Sequence, residues 1–417
     1  MSYYTTDRLY ELLPAVYRLR DAEQGYPLRD LVALLAREAR VVEGDLHQLY
    51  DDQFIETAQE WVVPYLGDLI GVRPLPATGA SRRAEVAHTI GYRRRKGTAA
   101  VLEQLARDVT GWPAARVVEY FELLATTQHL NHLRPHNLRT PDLRDAGSLE
   151  LLGGGAGTGP FDGTAHTGEV RRIAPGRGHF NIKNVGLWLW RLGAYPVTGV
   201  DARLVTDGTG RHFTMSPLGH DAPLFHLPLT ETGPEHIAEE IHVPGPIRMR
   251  ALEADPAPYT GVAGSLAVER DGVAIDAADL VACSLEDWGR QPPAGKVGID
   301  PVLGRLAFPP GEEPAQGVSV RYAYGFPDEL GGGPYPRAET FTTIEGERVF
   351  DVGAGQAFAS LVAALGAWIA AGRPSAVVTI HDSGTYEETP AVTLPASTRL
   401  ELRAADGERP VLLLAGD

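Results

Sequence analysis

One stretch of the sequence carries apolar residues at the spacing of a coiled coil. Seven apolar residues follow one another at alternating steps of four and three: Leu28, Val32, Leu35, Ala39, Val42, Leu46 and Leu49. A period of 3.5 residues keeps one narrow seam of a helix facing a partner helix. None of these side chains carries a group that could perform chemistry. The seam predicts that this part of the chain forms a bundle with other helices.

The seam divides into two stripes that would face two neighbouring helices. One stripe consists of Leu28, Leu35, Val42 and Leu49, and the other of Val32, Ala39 and Leu46. Ala39 has the smallest of these side chains, so we expect the closest helix approach there. The alternative is a long helix that packs on its own domain, because an amphipathic globular helix shows a similar pattern.

Charge and cysteine content exclude several classes of protein. The chain of 417 residues is long enough for two or three domains, and its 54 acidic and 38 basic residues give a formal net charge of −16. A chain that binds nucleic acid or an anionic membrane over its whole surface would need the opposite sign. Cys283 is the only cysteine, which excludes an internal disulfide and indicates folding in a reducing compartment.

No targeting or membrane-spanning segment is expected. Residues 1–14 contain an Asp and a Glu and lack the apolar core of a secretory signal. The longest nearly apolar run, 358–371, is shorter than the ~20 residues that are needed to cross a bilayer. We therefore expect a soluble protein that does not insert directly into a membrane.

The first of three expected domains, 1–146, has a helical pattern that includes the seam. Further helices are expected over 82–94 and 99–110, and the second of these ends at Gly111 and Pro113, which cannot continue a helix. The remaining expected elements are a short strand over 116–119 and a helical piece near 120–130.

The second expected domain, 147–337, is rich in β-strands. It begins with a glycine-rich stretch, 147–160, which indicates a flexible linker or loop. The strand signals are a buried strand over 182–192, a hairpin over 266–275 around Asp271-Gly272, and alternating apolar residues from Val318 to Tyr324. Its Gly and Pro density favours sandwich or barrel-like modules.

The third expected domain, 338–417, has the pattern of a helix-capped start of a parallel β-helix. An apolar helix over 356–371 precedes short strands near 376–381, 391–394, 399–403 and 410–414. A solenoid needs about three repeats to be stable. Since the sequence stops at Asp417 after about two rungs, we expect a longer natural chain or a partner that covers this end. The predicted fold class is therefore α+β multidomain, with a helical N-terminal domain, a β-rich middle and the start of a parallel β-helix.

Six basic residues cluster on the expected helix 82–94 and directly after it. They are Arg82, Arg83, Arg93, Arg94, Arg95 and Lys96. In a chain with a net charge of −16, we interpret them as a docking patch for an acidic partner subunit. The first alternative is a solvated helix end whose cations complement the helix dipole, and the second is a phosphate-binding patch for nucleic acid.

Two polar clusters are weak candidates for chemistry. His129, His132 and His136 have a spacing that suggests a metal site, but Pro135 should break the helical geometry before the third histidine. We therefore favour roles in packing or at an interface. The second cluster, Asp162, His166 and Glu169, could be drawn as an acid–base site, but no nucleophile elbow accompanies it.

Other conspicuous residues have structural interpretations. The glycine stretch 153–159 lacks the lysine of a phosphate-binding loop. Trp188 and Trp190 should share one face of a strand and act as core or interface anchors rather than as a sugar platform. Cys283 is expected to be a small core residue. We therefore expect no catalytic residue, no metal and no cofactor.

The β-helix pattern raises one rival function, because parallel β-helices can carry sites that cleave polysaccharides. The candidate carboxylates would be Asp382, Glu387 and Glu388, since glycosidases need a carboxylate pair across the scissile bond. Adjacent Glu387 and Glu388 on a strand would face opposite sides, which argues against their cooperation. The alternative function is thus a tail-associated glycan-binding or polysaccharide-cleaving protein.

Seven segments of the chain, taken in their order, carry a resemblance to one known family. They are LLPAVYRLRD (12–21), FIETAQEWVVPYLGDLIGV (54–72), YRRRKGTAAVLEQLARDVTGW (92–112), TTQHLNHLR (126–134), GHFNIKNVGLWLWRL (178–192), SPLGHDAPLF (216–225) and GIDPVLGRLAFPPG (298–311). Together they resemble the tail protein I family, the small baseplate wedge protein of contractile phage tails and extracellular contractile injection systems. The resemblance spans most of residues 1–335. The C-terminal β-helix start departs from the short phage versions and looks like an extension found in some injection-system members.

The resemblance implies a structural part rather than an enzyme. One copy would pair with two copies of the larger J-type wedge protein in a heterotrimer whose core is a three-chain helical bundle. Six such wedges would ring the central hub under the sheath, so neighbouring wedges, hub and sheath proteins are further expected partners. The particle would be assembled in the bacterial cytoplasm, and the baseplate would be released with it where the particle is extracellular. Neither nucleic acid nor a cofactor is an expected partner.

Overall fold

The computed structural model describes residues 4–73, 82–124, 144, 146–153, 159–163, 166–169, 178–261, 264–342 and 348–414. The chain forms two compact units, Met1–Gly111 and Trp112–Asp417. The described residues contain nine α-helices and several antiparallel sheets, none of them closed, so the protein is mixed α+β. The predicted division into three domains stays a prediction.

The described part of the first unit is helical. Its helices are α1 Thr6–Glu11, α2 Ala15–Glu23, α3 Pro27–Asp51, α4 Val63–Leu69, α5 Arg82–Arg94 and α6 Ala99–Thr110. The bounds of α5 and α6 confirm the two helices predicted over 82–94 and 99–110. Gly111 ends α6 in the left-handed conformation with φ +70°, which glycine adopts at little cost, and its N–H donates to the Arg107 carbonyl.

The start of α3 is held by a side chain of the preceding helix. Gly25 and Tyr26 both have positive φ and make the tight turn between α2 and α3. This turn brings the buried Asp21 carboxylate to the first turn of α3, where it accepts hydrogen bonds from the backbone N–H groups of Leu28 (2.6 Å) and Arg29 (3.0 Å). Asp21 therefore replaces the usual N-cap side chain and places a negative charge at the positive end of the helix dipole.

Tyr10 of α1 completes this network. Its hydroxyl donates to the Asp21 carboxylate at 2.6 Å, so three helices meet at one carboxylate. Burial alone would raise the pKa of Asp21, but the hydrogen bonds from Tyr10, Leu28 and Arg29 outweigh it and lower the pKa. The pKa of Tyr10 is raised to about 12 by burial and by the bond to Asp21. The network therefore contains an ionised Asp21 and a neutral Tyr10 at neutral pH.

The second unit begins with a two-stranded antiparallel sheet of β1 Ala114–Glu119 and β2 Val185–Trp190. These strands confirm the ones predicted over 116–119 and within 182–192. The prediction that the latter is buried is wrong: Val185 and Leu187 are exposed, because β2 pairs only with β1 in the described sheet. A 3-10 turn, Tyr120–Leu123, follows β1; most of the helical piece predicted near 120–130 lies outside the described residues.

The predicted glycine-rich linker over 147–160 contains a helix. Helix α7 spans Ala146–Gly153, where the apolar residues Leu149, Leu151 and Leu152 outweigh the flanking glycines. Residues 154–158 of the stretch lie outside the described residues. The composition of the whole stretch therefore concealed a helix in its first half.

Two sheets in the middle of the chain bury one hydrophobic core between them. The five-stranded sheet has the order β10-β11-β12-β5-β4 and the six-stranded sheet the order β7-β6-β13-β8-β9, with β3 also pairing β13. The elements are β3 Gly193–Asp201, β4 Arg203–Leu204, β5 His212–Thr214, β6 Phe225–His226, β7 Gly245–Pro246, α8 Met249–Ala254, β8 Ala267–Arg270, β9 Val273–Ala274, β10 Leu280–Ala282, β11 Val297–Asp300, β12 Arg305–Ala307 and β13 Val318–Phe326. Phe213 and Leu306 of one sheet share the core with Val268 and Val320 of the other, as in a sandwich.

One local prediction in this region is confirmed, and a second is confirmed in part. β8 and β9 pair antiparallel across Asp271 and Gly272, which have φ of +51° and +78°. Two successive residues with positive φ make the type I′ turn, whose twist matches that of the paired strands. In β13, Val318, Val320 and Tyr322 are buried and Ser319 and Arg321 are partly exposed, but the predicted alternation ends there, because Ala323 is buried and Tyr324 partly exposed.

The last described elements form two small parallel sheets behind a helix. They are β14 Arg348–Val352, α9 Leu361–Ala370, β15 Ala376–Ile380, β16 Thr385–Glu388, β17 Leu400–Ala404 and β18 Val411–Leu414. β14, β15 and β17 form one parallel sheet and β16 and β18 the other, with paired residues about 25 positions apart. The buried Trp368 of α9 and Val378 of β15 lie in their common core.

Three of the four predicted C-terminal strands are found, and the predicted helix is shorter than expected. The strand predicted at 391–394 is wrong, and the strand at 385–388 was missed. Pro390 and Pro395 flank the wrong strand and remove hydrogen-bond donors, so Val392 and Leu394 remain exposed. No helix within the described residues is both long and apolar enough to cross a membrane.

His226 of β6 is buried without a hydrogen bond. Neither ring nitrogen finds a partner among the described residues, and the ring lies 6.0 Å from that of Tyr259. Burial lowers the pKa of His226 to about 4, since the protonated ring would bring a charge into the core. His226 is therefore neutral in the folded protein at neutral pH.

We expect Asp21→Asn to loosen the start of α3. The amide side chain has no charge and offers one acceptor oxygen instead of two, so at least one N–H of the first turn loses its partner. Hydrogen exchange of the amides of 28–31 in the full chain should become roughly tenfold faster. The matched control is Asp7→Asn, which removes the exposed ion pair with Arg29 and should leave this exchange unchanged. Equal exchange in the two variants would contradict the assigned role of Asp21.

We expect His226 to make the second unit acid-sensitive. The unfolded chain takes up a proton at His226 as pH falls below about 6.5, whereas the folded protein does so only near pH 4. The neutral, buried ring therefore contributes fully to stability above about pH 6.5, and this contribution is lost as pH falls towards 4. Between pH 7.5 and 4.5 the wild type should therefore lose about 2–3 kcal/mol more unfolding free energy than His226→Leu. Denaturant unfolding at both pH values measures the difference, with His47→Leu, at an exposed position, as the control. Parallel losses in the wild type and His226→Leu would show that the buried ring does not matter.

Candidate partner interface

Helix α3 presents apolar side chains in two directions. Val32 and Ala36 are buried, and α3 packs on this side against α1 and α2. A second set of apolar side chains points elsewhere, and each of its members is 53% to 61% exposed. These residues, which we name the exposed arc, are Leu31, Leu34, Leu35, Val41, Val42, Leu46 and Leu49.

The exposed arc runs along most of the helix. At 100° per residue its seven side chains fall within about 140° of the helix circumference. Monomeric proteins rarely expose contiguous apolar surface of this kind without using it for binding. The seven residues of the arc are all Leu or Val, so the arc offers apolar contacts and no group that could act as a nucleophile, base or metal ligand.

Some side chains of the predicted seam point into the unit, and others belong to the exposed arc. Four of its members, Leu35, Val42, Leu46 and Leu49, belong to the exposed arc. Val32 is buried in its own unit, and Leu28 and Ala39 are half-buried. The seam therefore starts beside the chain's own helices and ends in solvent.

The prediction that Ala39 marks the closest approach of a partner helix stays a prediction. The Ala39 side chain is partly covered by its own unit, whereas Val42 and Leu46 on the following turns are open. Three of the four open seam residues therefore lie in the C-terminal half of α3. The sequence could not give this result, because it does not show which side α1 and α2 occupy.

Two acidic side chains interrupt the exposed arc. Glu38 and Asp45 are exposed, and on the helical wheel they fall between Leu34 and Leu31. Glu38 has one ion pair, a distant one of 3.8 Å to Arg37 of the same helix. A covering partner would therefore need polar or basic groups opposite these two positions.

Large apolar side chains are also exposed on other elements of the first unit. On α2 and just before it they are Leu12, Val16, Tyr17 and Leu19, and in the segment 54–72 they are Phe54, Trp61, Tyr65 and Leu69. Both groups lie within segments that carry the family resemblance. The surface of the first unit is thus apolar beyond α3 itself.

Three members of the predicted basic docking patch are used inside the unit. Arg83 donates to the carbonyls of Ile55 and Ala58 at 2.5 Å each, and also to Glu60. Arg93 donates to the carbonyls of Ile70 and Gly71, and Arg95 to Gln104. Arg83 and Arg93 therefore fasten α5 to the segment 54–72.

The other three members of the patch remain open. Arg82, Arg94 and Lys96 are exposed and form no ion pair with any described residue. The partners of Arg83 and Arg93 are more than 20 residues away in the sequence, so spacing alone could not separate the two groups. The docking patch of six residues stays a prediction, in which these three cations are exposed members without an ion pair among the described residues.

The side chains of the predicted acid–base cluster make structural hydrogen bonds and ring contacts. His166 bonds to the carboxylate of Asp162 and stacks on Phe180, while Glu169 accepts from the backbone N–H of His179 at 2.7 Å. Among the described residues no group of three or more potential ligands could hold a metal ion. His129, His132 and His136 lie outside the described residues.

The tryptophans and the cysteine pack in hydrophobic clusters. Trp190 contacts the cluster of Ala114, Ala238 and Val243, and Trp188 contacts that of Val118, Tyr120 and Phe180. Cys283 is buried beside Leu285 and Ala307, and burial raises the pKa of its thiol. These residues act as core anchors.

The carboxylates of the rival glycan site are occupied. Asp382 accepts from the N–H groups of Ala354 and Gly384 and from the Tyr386 hydroxyl at 2.8–3.1 Å. Glu388 accepts from the first two N–H groups of α9, and Glu387 pairs with Arg203 at 3.6 Å. Each of the three carboxylates therefore has a structural partner.

Comparisons with known proteins add no relative to these observations. No family model matches the chain, and neither the curated proteins nor the solved structures include a significant match. The family resemblance therefore stays a prediction that rests on the seven sequence segments, and the exposed arc of α3 is the best-supported candidate site.

Proposed function

We propose that this chain is a structural component of the baseplate wedge of a contractile injection system or phage-like tail. The observation that carries the proposal is the exposed arc of α3. An apolar helix face that the chain itself leaves open is what a subunit of a helical bundle requires. Seven segments resemble the tail protein I family in the same order, and this resemblance indicates that the bundle is that of a baseplate wedge.

The energy available at the exposed arc suits a permanent assembly. Covering the remaining half of each Leu or Val side chain contributes roughly 1 kcal/mol, so the arc supplies several kcal/mol. This amount is comparable to the stability of a small domain. The wedge would thus be an obligate complex in which two copies of the larger J-type protein each place a helix beside α3.

The two acidic residues of the arc favour a particular partner. Glu38 and Asp45 would be buried beside apolar groups when the arc is covered, so the facing helices should carry Lys or Arg at those levels. The open cations Arg82, Arg94 and Lys96 give a second contact of opposite sign. Such charge pairing would set the register of the bundle more than its affinity.

The second unit would provide the contacts outside the bundle. The sandwich would bridge wedges or touch hub and sheath, and the C-terminal segment would project outward as the start of a parallel β-helix. In-register parallel pairing about 25 residues apart supports this interpretation of the C-terminal strands. Contraction would be transmitted as a rigid-body rearrangement between packed states.

The rival function, a glycan-binding or polysaccharide-cleaving β-helix protein, has no specific support. Its carboxylates hold backbone groups and an arginine, as described above. Assembly in the bacterial cytoplasm as part of the particle follows from the wedge proposal.

Co-expression with the larger wedge protein tests the proposal directly. Native mass spectrometry of the purified complex should give one copy of this chain with two copies of the partner. A monomer that fails to associate with the partner and shifts on binding polysaccharide would overturn the proposal in favour of its rival.

We expect Leu35→Asp combined with Val42→Asp to abolish assembly. Both side chains are 59% exposed, so the charges cost the isolated chain little, but each would be buried without a counter-charge in the bundle. Native mass spectrometry should show loss of the one-to-two complex, while circular dichroism of the isolated chain should remain unchanged.

The matched control adds the same two charges to the opposite side of α3. Gly44→Asp and His47→Asp introduce two exposed carboxylates at about 130° and 170° from the centre of the exposed arc on the helical wheel. This variant should assemble like the wild type. Normal assembly of the Leu35→Asp, Val42→Asp variant, or failure of the control, would show that the arc is not the bundle surface.

A further inference from the structure

A pocket of about 200 Å³ lies in the second unit, where the sandwich meets the C-terminal segment. One wall is formed by Val197 and Val200 of β3 and by Tyr322 and Tyr324 of β13. The loop 216–225 forms a second wall, and the C-terminal segment contributes Arg409 and Val411. The pocket therefore combines three separate parts of the chain.

The charge of the pocket is opposite to that of the chain. Its lining contains no carboxylate, and Arg409 is its only permanently charged side chain. The positive potential of such a site favours the binding of an anion.

Arg409 has no counter-ion among the described residues. Its guanidinium lies 4.5 Å from the centroid of the Tyr324 ring, and no described carboxylate comes within ion-pair distance. By contrast, Arg203 at the same junction pairs with Glu387. Stacking on a ring leaves the in-plane N–H donors of a guanidinium available, and these match a carboxylate in bidentate geometry. A half-buried arginine without a counter-ion is stabilised when a ligand supplies one.

Neutral donors surround this cation. Burial raises the pKa of Tyr322, an effect that the charge of Arg409 and its hydrogen bond to the hydroxyl partly offset, so the hydroxyl stays protonated at neutral pH and can donate. The Ser216 hydroxyl lies 3.2 Å from Nδ1 of His220, and both residues line the pocket. An anion held by Arg409 could thus receive further hydrogen bonds.

The rest of the pocket is apolar. Val197, Val200, Leu218 and Phe225 contribute side chains that favour an uncharged ligand body. The volume is below the ~300 Å³ at which pockets for larger ligands begin, which limits the ligand to roughly ten non-hydrogen atoms.

We propose that this pocket binds a small organic carboxylate, with the carboxylate on Arg409 and a compact apolar body against Val197, Val200 and Phe225. The site is independent of the bundle surface, since it lies entirely in the second unit. A bound ligand would join β13 of the sandwich to the C-terminal segment through one contact on each side.

Binding of benzoate to the full chain tests the proposal. Benzoate fits the size limit, and at about nine non-hydrogen atoms we expect a Kd of about 1 mM. Benzamide keeps the shape without the charge, and inorganic phosphate keeps the charge without the apolar body. Ligand-observed NMR should show benzoate binding at least about tenfold tighter than either control ligand.

Two variants locate the site. Arg409→Met keeps the apolar stem and should weaken benzoate binding at least about tenfold, whereas Tyr322→Phe removes one donor and should weaken it a few-fold. The matched control, Arg203→Met, removes an arginine from the same junction outside the pocket and should bind benzoate like the wild type. Hydrogen exchange of 405–412 verifies that the variants keep the local fold.

Several outcomes would overturn the proposal. Equal affinity for benzoate and benzamide would show that charge plays no part, and unchanged binding to Arg409→Met would place the ligand elsewhere. No detectable binding at about 20 mM benzoate, well above the expected Kd, would show that the pocket does not take this class of ligand.

Discussion

The carboxylate of Asp21 fixes which face of the longest helix is available to a partner. It holds the first turn of α3 through two backbone N–H groups and is itself held by Tyr10 of α1. Because these bonds are directional, they set both the position and the rotation of α3 relative to α1 and α2. Val32 and Ala36 then turn inward and the exposed arc turns outward. The set of side chains that α3 leaves open therefore depends on this hydrogen-bonded carboxylate.

The second unit differs from the first in how its apolar side chains are covered, because its sheets bury a hydrophobic core between them. Phe213 and Leu306 meet Val268 and Val320 between the two sheets of the sandwich, and Trp368 fills the space behind the parallel strands. Carboxylates such as Asp382 and Glu388 satisfy backbone N–H groups at turns and at the start of α9. The second unit therefore has its own hydrophobic core, whereas α3 of the first unit leaves seven aliphatic side chains exposed.

Elements with a local signal could be predicted from the sequence, and elements set by distant contacts could not. Gly111 marked the end of α6 and Asp271-Gly272 marked the hairpin, because these residues determine their own backbone conformation. The strand at 385–388 was missed because its pairing with β18 depends on residues about 25 positions away. Similarly, the arginine run gave no sign that Arg83 and Arg93 bind carbonyls of the segment 54–72. The candidate interface was half predicted: the heptad identified the helix, but the side that α1 and α2 cover decided which residues remain open.

The exposed arc of α3 also affects how much of this chain a cell can keep in usable form. A chain that displays seven uncovered aliphatic side chains along one helix is prone to associate with copies of itself or to be retained by chaperones. If its partner covers that surface, the usable amount of this chain is set by how much partner is made at the same time. Surplus copies would be removed by proteolysis, so the stoichiometry of the particle would be corrected before assembly is complete.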